Sequence, residues 1–298
     1  MRSLTILSSI EPIFAMSHIY IDGTYLNAVI IQNALQNNYK VLLSSVVIDK
    51  VRKNRNYLDK KMENSEAIIY GINTGFGSLC NVRISDENLG KLQENLVLSH
   101  ACGMGDLVPE NICKLIHLLK IINLSHGYSG VRVELLEKLV EIYNADIIPV
   151  IYQQGSLGAS GDLAPLAHLS LVLIGSGKVY LEGKMMPSAA ALKLKNIESI
   201  SLKSKEGLAL LNGTQFSLAY ATKIINETKK LFHLANKIAA LSMEAFVCDI
   251  SPYDPLLHDI RPHEGQILTA KEIFALLADS EIRNLQKLSV QDPYSFRC

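Results

Sequence analysis

The stretch GSLGASGDL, residues 155–163, packs three glycines, two serines and one alanine into nine residues, directly after the apolar run IIPVIYQQ. Within it, Ala159-Ser160-Gly161 has the residue types that backbone chemistry needs. In a sharp bend the Gly161 nitrogen can reach the Ala159 carbonyl carbon. Loss of water closes a five-membered ring, and loss of the Ser160 hydroxyl leaves an exocyclic methylidene, an electrophile made from main chain. Gly161 leaves the attacking nitrogen unobstructed, Ser160 supplies the leaving hydroxyl, and Ala159 suits a crowded bend. The same residues also suit a plain glycine-rich turn that caps a helix starting near Asp162 and cradles an anion at its N-terminus.

Four further stretches hold candidate groups. YGINTGFG places Tyr70 before a glycine-bounded loop that could swing a phenol over a substrate, though a strand-to-loop aromatic has the same pattern. LVLSHACG puts His100 at the end of an apolar helix, where a histidine serves as a core residue or as a catalyst. LALLNGTQ sets Asn212 and Gln215 in an otherwise apolar helix, where amides need a substrate or an internal partner. QDPYSFRC adds Gln291, Tyr294 and Arg297, and an arginine can grip a carboxylate through two parallel hydrogen bonds.

The elements that must position these groups are mostly helices. Apolar residues recur at helical spacing over 41–62, 86–101, 110–124, 131–143, 163–175 and 206–245. Short strand candidates remain at 67–70 and in a hairpin around Gly183. Breaks fall at Pro109, Gly127 to Gly130, Pro149 and Ser251 to Pro255. The pattern predicts a mainly α protein, with a mixed, mostly helical N-terminal domain over 1–200 that carries the glycine-rich loop. Residues 201–298 then begin a bundle of long helices.

At 298 residues and 48% hydrophobic, the chain can bury one large core or two smaller ones. Lys plus Arg equals Asp plus Glu at 29 each, so no basic surplus points to nucleic acid or an anionic membrane. A small-molecule partner is expected. Five cysteines without a CxxC pair argue against a disulfide framework and a thiolate zinc site, so a cytoplasmic setting and no metal are expected. The Asn123 and Asn212 sequons then read as local hydrogen-bonding chemistry. The first residues are too weak for a secretory signal, no run reaches membrane-spanning length, and Met16 is an alternative start to Met1.

Taken in order, YGINTGFG, LVLSHACG, GSLGASGDLAPLAH, KEGLALLNGTQ, RPHEGQ and VQDPYSFRC resemble the aromatic amino acid ammonia-lyase family, most closely its histidine branch. The resemblance implies the fumarase/ammonia-lyase type of helical fold. It implies a methylidene-imidazolone formed autocatalytically from Ala159-Ser160-Gly161 with Asp162 assisting, and no dissociable cofactor. It implies elimination of ammonia from an L-amino acid to an α,β-unsaturated acid, here urocanate from L-histidine. In that scheme Tyr70 is the base, Asn212 orients the amine and the ring oxygen, Arg297 binds the carboxylate, and Tyr294 and Gln291 line the site. Ser99-His100 resembles the histidine-specific pair, and an imidazole facing an imidazole can exchange a hydrogen bond that a phenyl ring cannot return.

Family members are about twice as long and are homotetramers, so the chain reads as truncated, ending in the loop-like QDPYS segment. The expected remainder would supply further bundle helices and an acidic and an aromatic pocket residue. Three readings stay open: a histidine ammonia-lyase, a phenylalanine or tyrosine lyase or aminomutase, and a non-catalytic remnant that associates with helices of another chain.

Overall fold

The computed structural model describes residues 17–63, 68–77, 80–156, 161–287 and 289–297. The chain runs β1 (His18–Ile21), α1 (Ala28–Gln36), β2 (Lys40–Leu43), α2 (Ser45–Glu63), α3 (Asp86–His100), β3 (Met104–Leu107), α4 (Glu110–Ser125), α5 (Val133–Asn144), β4 (Ile148–Pro149) and β5 (Tyr152–Gln154). It continues with α6 (Leu163–Leu171), β6 (Lys178–Leu181), β7 (Lys184–Pro187), α7 (Ser188–Leu194), α8 (Glu206–Leu211), α9 (Gln215–Ala245), α10 (Pro255–Asp259), α11 (Glu264–Leu276) and α12 (Tyr294–Arg297). The fold is mainly α, as the periodicity implies. Two compact units divide it, one ending at Lys223 and one starting at Ile224, so this division falls inside α9.

The first unit is built around α4. Its apolar residues point in every direction, and Ile112, Ile116, Leu118, Ile121 and Leu124 are all fully or almost fully buried. A helix that is apolar all round belongs in the middle of a core. Against it pack α5, through Leu135, Leu136, Leu139 and Ile142, and elements on the other sides that include α1 and α2. Three small sheets trim this core. β1 and β2 pair in parallel, β3 pairs with β5 antiparallel, and β4, β6 and β7 form an antiparallel sheet in that order.

Several expected elements change at their edges for local reasons. The helix expected over 41–62 starts at Ser45, because Lys40–Leu43 is taken by the ladder with β1, and the buried Ser44 hydroxyl accepts the Val47 amide at 3.1 Å. The helix over 163–175 stops being α at Leu171 and finishes as a short 3₁₀ turn, Val172–Ile174. The single helix over 206–245 is two, α8 and α9, interrupted at Asn212 to Thr214. The strand at 67–70 is absent over its described part: Ile69 donates its amide to the Asn73 side chain at 2.6 Å, and a turn opens at Tyr70. Ala67 lies outside the described residues. The hairpin around Gly183 is present, with φ positive at both Glu182 and Gly183, the turn geometry that matches strand twist.

The second unit has a small core of Ala240, Met243, Cys248, Ile273 and Leu277, with Tyr253 and Phe296 against it. Asp254 caps α10, its carboxylate accepting the Leu256 amide at 2.9 Å, with Pro255 in the first turn. Much of α9 is unpartnered within the described residues: Ile224, Leu231, Leu234, Ile238 and Leu241 are each more than half exposed. No helix among the described residues is long and apolar enough to cross a membrane.

Candidate active site

The glycine-rich loop leaves β5 at Gly155 and re-enters regular structure at Leu163. Ala159 and Ser160 lie outside the described residues, so the site is described from the residues that flank them. On the near side, a Cβ on Gly155 would lie 2.9 Å from the Ala164 Cβ, which keeps this backbone close to the first turn of α6. On the far side, Gly161 has φ +78° and pairs with Gly213 in a single parallel β-bridge. A Cβ at Gly161 would meet the Gly213 carbonyl oxygen at 2.9 Å, so only glycine fits there.

Asp162 is fully buried at the start of α6 and does not cap that helix through its side chain. Its carboxylate instead accepts the Ser156 hydroxyl at 2.6 Å and both the amide and the hydroxyl of Ser217, each at 2.9 Å. Its own amide donates to the Gly213 carbonyl at 3.2 Å. Hydrogen bonds to a charged acceptor are worth about 1.5–3 kcal/mol each, so this set is a strong clamp between the loop and the start of α9.

That clamp depends on the strap linking α8 to α9. Asn212 ends α8 in an extended conformation and is exposed, not buried in a helix as the apolar pattern suggests. Its side-chain amide donates to the Leu208 carbonyl at 3.1 Å. Gln215 is the first residue of α9, buried, with its side-chain oxygen lacking a hydrogen-bond partner among the described residues. Beneath the strap, the fully buried Lys120 of α4 donates to the carbonyls of Ala209, at 2.8 Å, and Asn212, at 3.1 Å. Burial alone pushes the Lys120 amine down to about 7. The N-terminal end of α8 is tied as firmly. The fully buried Glu206 accepts from the Arg132 guanidinium through both carboxylate oxygens at 2.9 Å, and these bonds raise the pKa of Arg132.

Two more of the expected groups sit in the same unit. His100 is the last residue of α3, where its Nδ1 is 2.9 Å from the Leu96 carbonyl and 3.1 Å from the Ser99 hydroxyl. The chain beyond it returns to the loop: the Gly103 amide donates to Nε2 of His168 on α6 at 3.0 Å, and the Gly103 Cα lies 3.3 Å from the Cβ position of Gly155. Desolvation holds the pKa of His168 below its ordinary value, in keeping with a neutral ring that accepts this bond. Tyr70 is 56% exposed and packs its ring edge-on to Phe76 with centroids 6.0 Å apart. Its turn rests on α8, for the Cβ position of Gly71 falls on the Leu208 side chain. The helices α3, α6 and α8 pack against one another, and so bring His100, Asp162 and Asn212 onto one supporting layer.

The remaining expected groups belong to the second unit. Arg297 of α12 stacks its guanidinium over the Tyr294 ring at 4.3 Å, donates from Nε to the Asp292 carbonyl at 3.0 Å, and reaches the Gln291 side-chain oxygen at 3.4 Å. These three residues therefore form one cluster. A cavity of about 550 Å³ lies beside it, lined by Tyr253, His258, Gln266 and Arg297 among others.

Reading the sequence alone overlooked Ser156, Ser217, His168, Gly103 and Lys120. Ser156 lies inside the glycine-rich stretch, but the serines and His168 have no pattern of their own. Lys120 does leave a trace, as a solitary cation in the apolar run LIHLLKIINL. Among the described residues there is no group of three or more His, Cys, Asp or Glu that could hold a metal ion.

Residues 26–298 match the family model described as aromatic amino acid lyase. A histidine ammonia-lyase of Legionella pneumophila (strain Corby) is 43% identical over 283 residues, which is 94% of this chain and 56% of that protein. Among solved structures, histidine ammonia-lyase from Trypanosoma cruzi superposes with a TM-score of 0.82 at 31% identity, covering 94% of this chain and 51% of that one. The Pantoea agglomerans phenylalanine aminomutase superposes with a TM-score of 0.85 at 31% identity, covering 94% and 57%. The chain thus spans about half the length of the curated relatives it matches. With a match to the family model over nearly its whole length, and with whole-chain superposition on these solved structures, the chain belongs to the aromatic amino acid lyase family.

Proposed function

We propose that this chain serves the elimination of ammonia from L-histidine to give urocanate, through an electrophile that its own residues Ala159, Ser160 and Gly161 form. The observation that carries this reading is the seat of Gly161: φ +78°, no room for a Cβ against the Gly213 carbonyl, and the buried Asp162 clamped beside it. A backbone held this way suits a segment that must bend on itself and react, and the residues present fit the group that the family implies. Once formed, that group supplies an electron-poor centre that captures the amine and makes it a better leaving group.

The chain's other residues have separate tasks in this reading. Tyr70, on its exposed turn, removes the β-proton, and a phenol can do so where nearby positive charge or hydrogen bonds favour its phenolate. Asn212 orients the amine from the end of α8. Arg297, held flat by Tyr294, receives the substrate carboxylate through a planar fork, with Gln291 and Tyr294 beside it. His100 faces the substrate imidazole, and the name of the Legionella relative supports histidine as the substrate. The proposed assembly is a cytoplasmic homotetramer, with the loop-bearing domain up to about residue 200 and the bundle helices after it.

The likeness to phenylalanine aminomutase supports a second reading, in which the same electrophile acts on phenylalanine or tyrosine. One assay separates the two and tests both. Purified chain is incubated with L-histidine, L-phenylalanine and L-tyrosine, with Ser160→Ala as control. Urocanate absorbance from the unaltered chain and none from Ser160→Ala is the expected result. Equal signals from both chains would rule out catalysis, and a preference for phenylalanine or tyrosine would overturn the role given to His100.

A further inference from the structure

Lys120 has a side chain that the chemistry above does not use. It is fully buried in the central helix α4, and the cost of burying an ammonium is large unless something needs it there. No carboxylate shares a salt bridge with it among the described residues. Its partners are two main-chain oxygens, Ala209 at 2.8 Å and Asn212 at 3.1 Å, which belong to the last turn of α8 and the residue that ends it. The last carbonyls of a helix have no partner within the helix and carry its negative end, so a cation suits them.

The carbonyl of Asn212 leads straight into Gly213. Gly213 takes the Asp162 amide on its carbonyl at 3.2 Å and pairs with Gly161 in the β-bridge. A connected path therefore runs from the Lys120 amine, through the Asn212 and Gly213 backbone, to the third residue of the reactive segment. We propose that Lys120 is a positioning residue for ring formation: it pins the strap after α8 so that Gly213 presses on Gly161 and brings the Gly161 nitrogen to the Ala159 carbonyl carbon.

This inference rests on the electrophile reading above. In the step itself a C–N bond forms between Gly161 and the Ala159 carbonyl carbon. The carbonyl oxygen leaves as water with the Gly161 and Ser160 amide protons, and a second water takes the Ser160 hydroxyl and its Cα proton. No oxidant or co-reactant is needed. Lys120 touches none of these atoms and acts only through the strap.

The test is the intact mass of the 298-residue chain, unaltered and as Lys120→Met and Lys120→Arg, with circular dichroism and a thermal melt on each. The unaltered chain is expected to lack the mass of two waters. Lys120→Met is expected to fold and melt cooperatively, since methionine fills similar space without a buried charge, yet to keep those waters in most molecules. Lys120→Arg, which restores a cationic donor, is expected to regain the deficit. A folded Lys120→Met chain with the full deficit would overturn the proposal while leaving the electrophile reading intact. A Lys120→Met chain that does not fold would make the lysine a support of the whole core, and the positioning role would fall. A folded Lys120→Arg chain that keeps its waters as fully as Lys120→Met would also overturn it. An unaltered chain with no deficit removes the electrophile reading and this inference together.

Discussion

The two compact units treat their apolar surface in opposite ways. In the first, the middle turns of α4 are enclosed, with Leu118 and Ile121 fully buried. In the second, the part of α9 that follows Lys223 leaves Leu234 and Leu241 more than half exposed, over a core of only a few side chains. The groups proposed to hold the electrophile-forming segment, Asp162, Gly213 and Lys120, all belong to the closed unit. The proposed carboxylate-binding cluster, Gln291, Tyr294 and Arg297, belongs to the open one. A segment that must be bent needs rigid walls inside its own fold, whereas a substrate-binding cluster can be completed by whatever covers an open face.

Mutations should separate the two units, beginning with the largest effect. Leu118→Ala removes packing from a site with no solvent contact and should cost about 2–5 kcal/mol in denaturant unfolding. A cost near zero would show that the first core is loose.

An acid titration comes next. Burial holds the His117 imidazole down to about 4, against an ordinary value of 6.5. Between those two pH values the unfolded chain takes up a proton that the folded chain refuses, so stability present above 6.5 is lost as pH falls toward 4. The loss should approach about 3 kcal/mol, and a His117→Gln chain should show a flatter dependence over that window. An unchanged slope in the variant would mean that other groups dominate acid unfolding of this unit.

Glu206→Gln should cost about 1.5–3 kcal/mol, because it leaves the Arg132 guanidinium facing a neutral group in a partly buried site. Arg132 is more exposed than Glu206, and the charge left behind can reach water, which keeps this effect below that of Leu118→Ala.

The smallest change is expected at Leu241→Ala, within about 0.5 kcal/mol, because its side chain is two-thirds exposed. This is also the sharpest test of the contrast. A cost matching that of Leu118→Ala, together with concentration dependence of the melt, would show α9 covered by another chain in solution.

The helices of the first unit were legible to within a few residues wherever amphipathic or wholly apolar spacing persisted, as in α3, α4 and α5. Errors arose where a neighbour distant in sequence decides the local state. Residues 41–43 have helical spacing, yet the ladder with His18–Ile21 makes them a strand. Asn212 sits in an apolar run, yet α8 ends there, with Lys120 and Asp162 held to the backbone on either side of the break. The short elements α1, α7 and α10 have too few turns to give a clear period, and the 13 residues of α11 spread their apolar side chains around the helix and give no clear stripe.

The proposed reactive tripeptide, the acid beside it, and the tyrosine, histidine, asparagine and arginine candidates are named from residue types and order, because the proposed chemistry is written in contiguous stretches. The tertiary structure alone decided what presses on them. Gly213 meets Gly161, Ser217 grips Asp162, and Lys120 reaches the end of α8 only because α4 runs through the middle of the first core. Composition and spacing set which groups a chain can offer, while distances between them follow from how apolar faces are buried, and that is a property of the whole fold.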